Sequence, residues 1–117
     1  MMTYAQFKNG PVRWILAALD PIFLEALDVT QSYAFFRKAI VMLNDSEANR
    51  GCFVKAARRY AGVCSPGERE LLKGVLLLTD FAHVADEISA GEAYGNMTRC
   101  GGDFRLAYAA CVVNAGW

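Results

Sequence analysis

The sequence predicts an all-α protein: a single domain of six or seven helices around a long central helix at about residues 66–90. Three observations carry that reading. Apolar residues recur at spacings of three and four, and no run alternates apolar and polar residues as a half-buried strand does. Each of the three prolines, Pro11, Pro21 and Pro66, falls where a helix begins, a position at which the missing N–H costs nothing. Serine, threonine and aspartate stand ahead of the apolar stripes, and glycine or asparagine behind them, in the order that caps require.

Thr3 and Gln6 form a capping box for a short helix through Lys8, closed by Asn9-Gly10. Pro11 opens a second helix with Trp14, Ile15, Ala18 and Leu19 as its apolar residues, and core packing is the expectation for Trp14. Asp20 ahead of Pro21 starts a third, through Leu27. Asp28 or Thr30 is expected to cap a fourth helix, which carries Tyr33, Phe36, Ile40 and Leu43. Asn44-Asp45-Ser46 breaks it, and Ser46 is expected to cap a helix running to about Tyr60 and ending at Gly62. Ser65 and Glu68 form a second capping box, with Pro66 between them, and Gly91 is the expected end of the central helix. Gly95, Gly101 and Gly102 loosen the chain before Asp103, the expected cap of a last helix with a stripe of Phe104, Ala107, Tyr108, Cys111 and Val112.

Within the central helix, Val75, Leu78, Ala82 and Ala85 make one apolar face, while Leu72 and Leu76 share another with Thr79 and His83. A helix so marked touches neighbours on more than one side. Gly74 costs helix propensity of about 1 kcal/mol relative to alanine, which implies a close crossing by another helix there.

Bulk composition narrows the function classes. The chain has 117 residues, enough for one core. Twelve basic and twelve acidic residues leave no net charge, so nothing draws the whole molecule to nucleic acid or to an anionic membrane. The hydrophobic fraction of 55% exceeds the usual value of roughly 45–50%. The excess points to a dense core or to an apolar patch that a partner covers, either another protein or a second copy. No apolar run is long enough for a signal core or a membrane span, so the expected location is the cytoplasm. Cys52, Cys64, Cys100 and Cys111 contain no C-x-x-C pair and read as reduced thiols, with a Cys64–Cys100 bridge left open.

Chemistry has few candidates. His83 is the only histidine, and Asp80, His83 and Glu87 would share one face of an unbroken helix. The spacing resembles half of a carboxylate-bridged metal site, but a bundle site of that kind needs a second Glu-x-x-His. Neither a metal nor any other cofactor is therefore expected, and no residue is assigned a catalytic role. Arg99 beside Cys100 offers a low-pKa thiol without a base to accompany it. Arg99 to Asp103 makes a poor phosphate loop, because it lacks a preceding strand and places a carboxylate where the anion would sit.

Local charge is segregated. Arg50, Lys55, Arg58 and Arg59 occur without an acid across residues 50–59, and Asp80, Asp86, Glu87 and Glu92 without a base across 79–92. The basic segment is a candidate nucleic-acid surface, weighed against a solvated face neutralised by the acidic helix beside it. The leading expectation is a non-enzymatic interaction module, an adaptor or inhibitor that binds a larger protein complex. Phage-encoded blockers of host defence, anti-CRISPR proteins among them, are one instance of that class. Its candidate partner-binding residues are Arg50, Lys55, Arg58, Arg59, Asp80, His83, Glu87 and Trp117, with the mixed face of Leu72, Leu76, Asp80, His83 and Glu87 foremost. A small enzyme or metal protein centred on Asp80, His83 and Glu87 is the alternative class, and a nucleic-acid binder using Arg50 to Arg59 is the third.

Overall fold

A computed structural model describes residues 2–89 and 102–115 of the chain. Among them there are eight α-helices, one 3-10 turn and no strand: α1 Tyr4–Lys8, α2 Val12–Leu19, α3 Pro21–Val29, α4 Tyr33–Asp45, the 3-10 turn Glu47–Asn49, α5 Cys52–Ala61, α6 Pro66–Leu78, α7 Ala82–Ser89 and α8 Gly102–Val113. No helix among the described residues is long and apolar enough to cross a membrane.

The capping chemistry fixes many boundaries. Thr3 Oγ1 accepts from the Gln6 amide while the Gln6 side chain accepts from the Thr3 amide, the two halves of a capping box. Asp20 accepts from the Ile22 amide ahead of Pro21. Ser65 and Glu68 make the reciprocal pair that starts α6. The fourth helix is capped differently from expectation. Ser32 accepts from the Phe35 amide, and Thr30 instead turns its hydroxyl back to the carbonyls of Ala26 and Leu27.

Ser46 does not cap a long helix either. It precedes only the 3-10 turn, and α5 starts after Gly51, which has φ 76°. A side chain from α4 takes over the capping there. Buried Asn44 Oδ1 accepts from the amides of Phe53 and Val54 at 3.0 and 3.3 Å, satisfying donors that the first turn of α5 leaves without partners.

The continuous helix expected over 66–90 is two helices. Thr79 Oγ1 donates back to the Val75 carbonyl at 2.7 Å, and Asp80 adopts the left-handed conformation with φ 70°. The Phe81 amide then bonds to the Leu76 carbonyl and the Asp80 amide to that of Leu77. This is a Schellman ending with aspartate where glycine is usual. Its hydrophobic element is Phe81, almost fully buried beside Phe53 at a ring distance of 5.5 Å.

Helix α6 is the centre of the packing. Leu71, Leu72, Val75, Leu76 and Leu78 are fully buried, and the helix meets α8, α7, α2 and α5. The close crossing implied by Gly74 is with α8: a Cβ at Gly74 would lie 2.9 Å from Tyr108 Cδ2 and 3.2 Å from Cys111 Cβ. Arg37 of α4 ties both helices at their C-terminal ends. Its Nε donates to the Leu78 carbonyl at 2.7 Å and its Nη2 donates to the Asn114 carbonyl. A cation at two helix C-termini meets both the orphan carbonyls and the negative end of each dipole.

Helix α8 is already helical at Gly102, one residue before Asp103. The expected helix end at Gly91 lies outside the described residues, as do Arg99, Cys100 and Trp117.

Candidate interaction surface

The proposed reactive face on residues 80–87 does not assemble. Asp80 sits in the turn between α6 and α7, so it does not share a helical face with His83 and Glu87. His83 is exposed, its ring 6.4 Å from that of Phe81. Glu87 is taken by Arg58 in a two-pronged pair, with Nε and Nη2 donating to its two oxygens at 2.9 and 3.0 Å. That contact holds the Glu87 carboxyl below the usual carboxylate range. No group of three metal-ligating side chains occurs among the described residues. Leu72 and Leu76, expected on the same mixed face, have no exposure at all, so its apolar half is core while Asp80, His83 and Glu87 are exposed.

The basic segment is likewise divided. Arg50 precedes Gly51 and lies outside α5. Arg58 is engaged with Glu87, and Arg59 Nη2 donates to the Leu19 carbonyl at the end of α2. Lys55 and Arg50 face solvent. The structure thus brings Arg58 to Glu87, with His83 one turn before Glu87 on α7 and Lys55 one turn before Arg58 on α5, and places Asp80 and Arg50 outside those helices.

The three described thiols are disfavoured as nucleophiles. Burial pushes Cys52, Cys64 and Cys111 up from the usual thiol value, away from the reactive thiolate. Trp14 is not core: it is 67% exposed, its ring resting 6.3 Å from that of Phe104.

An apolar surface feature lies elsewhere, along α3 and α4. Helix α3 turns Phe23, Ala26 and Leu27 inward, which leaves Ile22, Glu25 and Val29 on its outer side. Helix α4 buries Phe36, Ile40 and Asn44 and presents Phe35, Ala39 and Met42, a second stripe at i, i+4 and i+7. The two outer stripes meet in a depression of about 520 Å³ lined by Ile22, Glu25, Ala26, Val29, Ala39, Met42 and Leu43. It runs on through Val29, Ala39 and Met42 into a second, of about 360 Å³, reaching Thr30, Gln31, Phe35 and Lys38. Val29, Phe35 and Met42 are exposed by 68%, 62% and 63%, so this trough is apolar and open.

Its floor is firmly held. Tyr4 donates to the Leu27 carbonyl and its hydroxyl lies 2.7 Å from that of Thr30. Lys8 donates to the carbonyls of Asp28 and Thr30, and Arg13 pairs with Asp28 at 2.6 Å. The α3–α4 connection is therefore tied to the N-terminal helices from below, while its outer side has no cover among the described residues.

Neither a family model, a curated protein nor a solved structure matches this chain. The trough stands on its own geometry.

None of its residues is among the sequence-derived candidates. The signal was present in the adjacent pair Phe35-Phe36 and the run Val41-Met42-Leu43, which give α4 more apolar positions than one core face uses.

Proposed function

We propose that the protein is a non-enzymatic interaction module that binds a protein surface through the α3–α4 trough. The observation that carries this reading is the continuous apolar depression with Val29, Phe35 and Met42 standing in water on its walls. A chain of this size gains nothing for its own stability from leaving those side chains wet. Covering each of them removes the exposed two-thirds of a large apolar side chain from solvent, which is worth about 1–2 kcal/mol apiece. The shape suits a helix or a helical pair laid along the groove between α3 and α4, with anchors at helical spacing. An adaptor or inhibitor that covers part of a larger assembly would use such a face.

Photo-cross-linking from the trough tests the reading. A photoreactive phenylalanine analogue replaces Phe35 or Met42 in the full chain within its native host, and Val63 serves as the comparison. Val63 lies between α5 and α6, is 80% exposed and lines neither depression. The expected result is a discrete protein adduct from positions 35 and 42 and none from 63. Equal or no adducts at all three positions would remove the basis of the proposal.

A further inference from the structure

We infer that the trough is occupied by a second copy of this chain, related by a two-fold axis running along the α3–α4 hairpin, so that α3 of each copy lies on α4 of the other. This rests on the reading of the trough as a protein-binding face. What selects the occupant is the charge on its walls.

Helices α3 and α4 carry five charged side chains: Glu25, Asp28, Arg37, Lys38 and Asp45. Asp28 is paired with Arg13, and Arg37 caps α6 and α8. Asp45 ends α4 and lines neither depression. Glu25 and Lys38 remain, one on each wall, both exposed. Neither has an ion pair or side-chain hydrogen bond among the described residues, whereas Arg13–Asp28, Arg58–Glu87 and Glu70–Lys73 are all closed pairs.

Their heights along the hairpin match. Glu25 stands six residues before Gln31 and Lys38 seven after it, on antiparallel helices that share the same connection. A two-fold axis along the hairpin therefore sets Glu25 of one copy against Lys38 of the other, twice, with Val29, Ala39 and Met42 between the two pairs. An isologous contact needs a patch complementary to itself, and one unpaired acid level with one unpaired base across an apolar strip is the simplest such patch. Zero net charge places no overall repulsion between copies.

The size of the patch sets the strength. Two neighbouring helices of nine and 13 residues offer a face of roughly 20 by 20 Å, so the contact buries on the order of 800 Å² in total, below the roughly 1,200 Å² at which stable specific interfaces begin and in the range of weak, transient ones. The dimer is accordingly a weak one, with Kd in the micromolar range.

Sedimentation equilibrium at low salt tests this with the full chain and two surface variants, Glu25→Lys and Lys38→Glu. The wild type should dimerise below about 100 μM. Each variant alone puts like charges opposite each other at both pairs, and its Kd should rise about tenfold or more. Mixed in equal amounts, the two variants form a heterodimer in which both pairs are again opposite in sign. The mixture should recover affinity to within about threefold of wild type. A wild type that stays monomeric to about 1 mM overturns the second-copy inference. In that case a cross-linked adduct with a different protein from positions 35 and 42 would leave the binding face itself standing. A wild-type dimer that ignores both variants, or variants that weaken it without recovery on mixing, also overturns the inference, because the contact then lies elsewhere or in another register.

Discussion

Replacing Arg37 by methionine should destabilise the protein by loosening the ends of two helices at once. The Arg37 guanidinium donates to two carbonyls, Leu78 at the end of α6 and Asn114 just beyond α8, and its stem is half-buried between them. Hydrogen bonds involving a charged group contribute about 1.5–3 kcal/mol each, and a cation at a helix C-terminus adds up to about 1 kcal/mol. Methionine keeps the packing of the stem, and water can reach part of the freed carbonyls, so the net loss should be about 2–4 kcal/mol. That is a large share of a total stability of about 5–15 kcal/mol. Urea unfolding followed by circular dichroism should show the midpoint falling by about 1–2 M with the slope unchanged. Arg37→Lys retains the charge but reaches one carbonyl, and should recover about half the loss. A methionine variant within about 0.5 kcal/mol of wild type would refute the idea that α4 fastens the ends of α6 and α8.

The turn between α6 and α7 and the start of α6 give two further tests. Asp80→Gly relieves a left-handed aspartate in a Schellman ending, so it should stabilise by about 0.5–1 kcal/mol in the same urea assay; a loss would contradict the φ of 70° at that residue. The Glu68 carboxyl is held below its usual range by hydrogen bonds from the Ser65 hydroxyl, the Tyr60 hydroxyl and the Ser65 amide. A depressed carboxyl favours its ionised form in the folded state, so this stabilisation is present above the unfolded value of about 4.3 and is lost as pH falls through the lower folded value. Thermal melts of wild type and Glu68→Gln should converge on acidification below that range, and a gap that stays constant with pH would contradict the assignment.

Local signals in the chain were readable where a short stretch decides the outcome. The caps at Thr3, Asp20 and Ser65 are each set by residues within three positions of one another. Gly74 was legible as a crossing point because its cost in helix propensity needs a compensating contact, and α8 supplies one. The failures came from interactions across the chain. Asn44 caps α5 from nine and ten residues away, which no motif encodes. The break at Asp80 was hidden because Phe81, Val84 and Ala85 continue the apolar pattern while the left-handed position lacks glycine.

The surface was misjudged for a related reason. The pattern offers Leu72 and Leu76 two roles, contact with a further helix or part of a face for a partner, and their full burial selects the first, while Phe35 and Met42, apolar positions beyond the one core face of α4, stand in water. Periodicity marks apolar stripes, but which stripe is covered depends on how many helices surround an element. Helix α6 is enclosed by α2, α5, α7 and α8, whereas the outer side of α3 and α4 lies at the edge of the bundle. The solvated-face reading of the basic segment, neutralised by the acidic helix beside it, is met by the Arg58–Glu87 pair, whereas Glu25 and Lys38, which lack partners beside the trough among the described residues, lie outside both segments.

Methyl NMR on the wild-type chain tests the central claim without altering the surface. Spectra recorded from about 10 μM to about 1 mM cover the range in which a micromolar dimer forms. The Ile22, Val29 and Met42 methyl signals should shift together with concentration and fit one dimerisation constant, while Val63, outside the trough, stays in place. If the trough methyls do not move over that range, or if Val63 moves and they do not, the α3–α4 face is not where this protein meets its own copy.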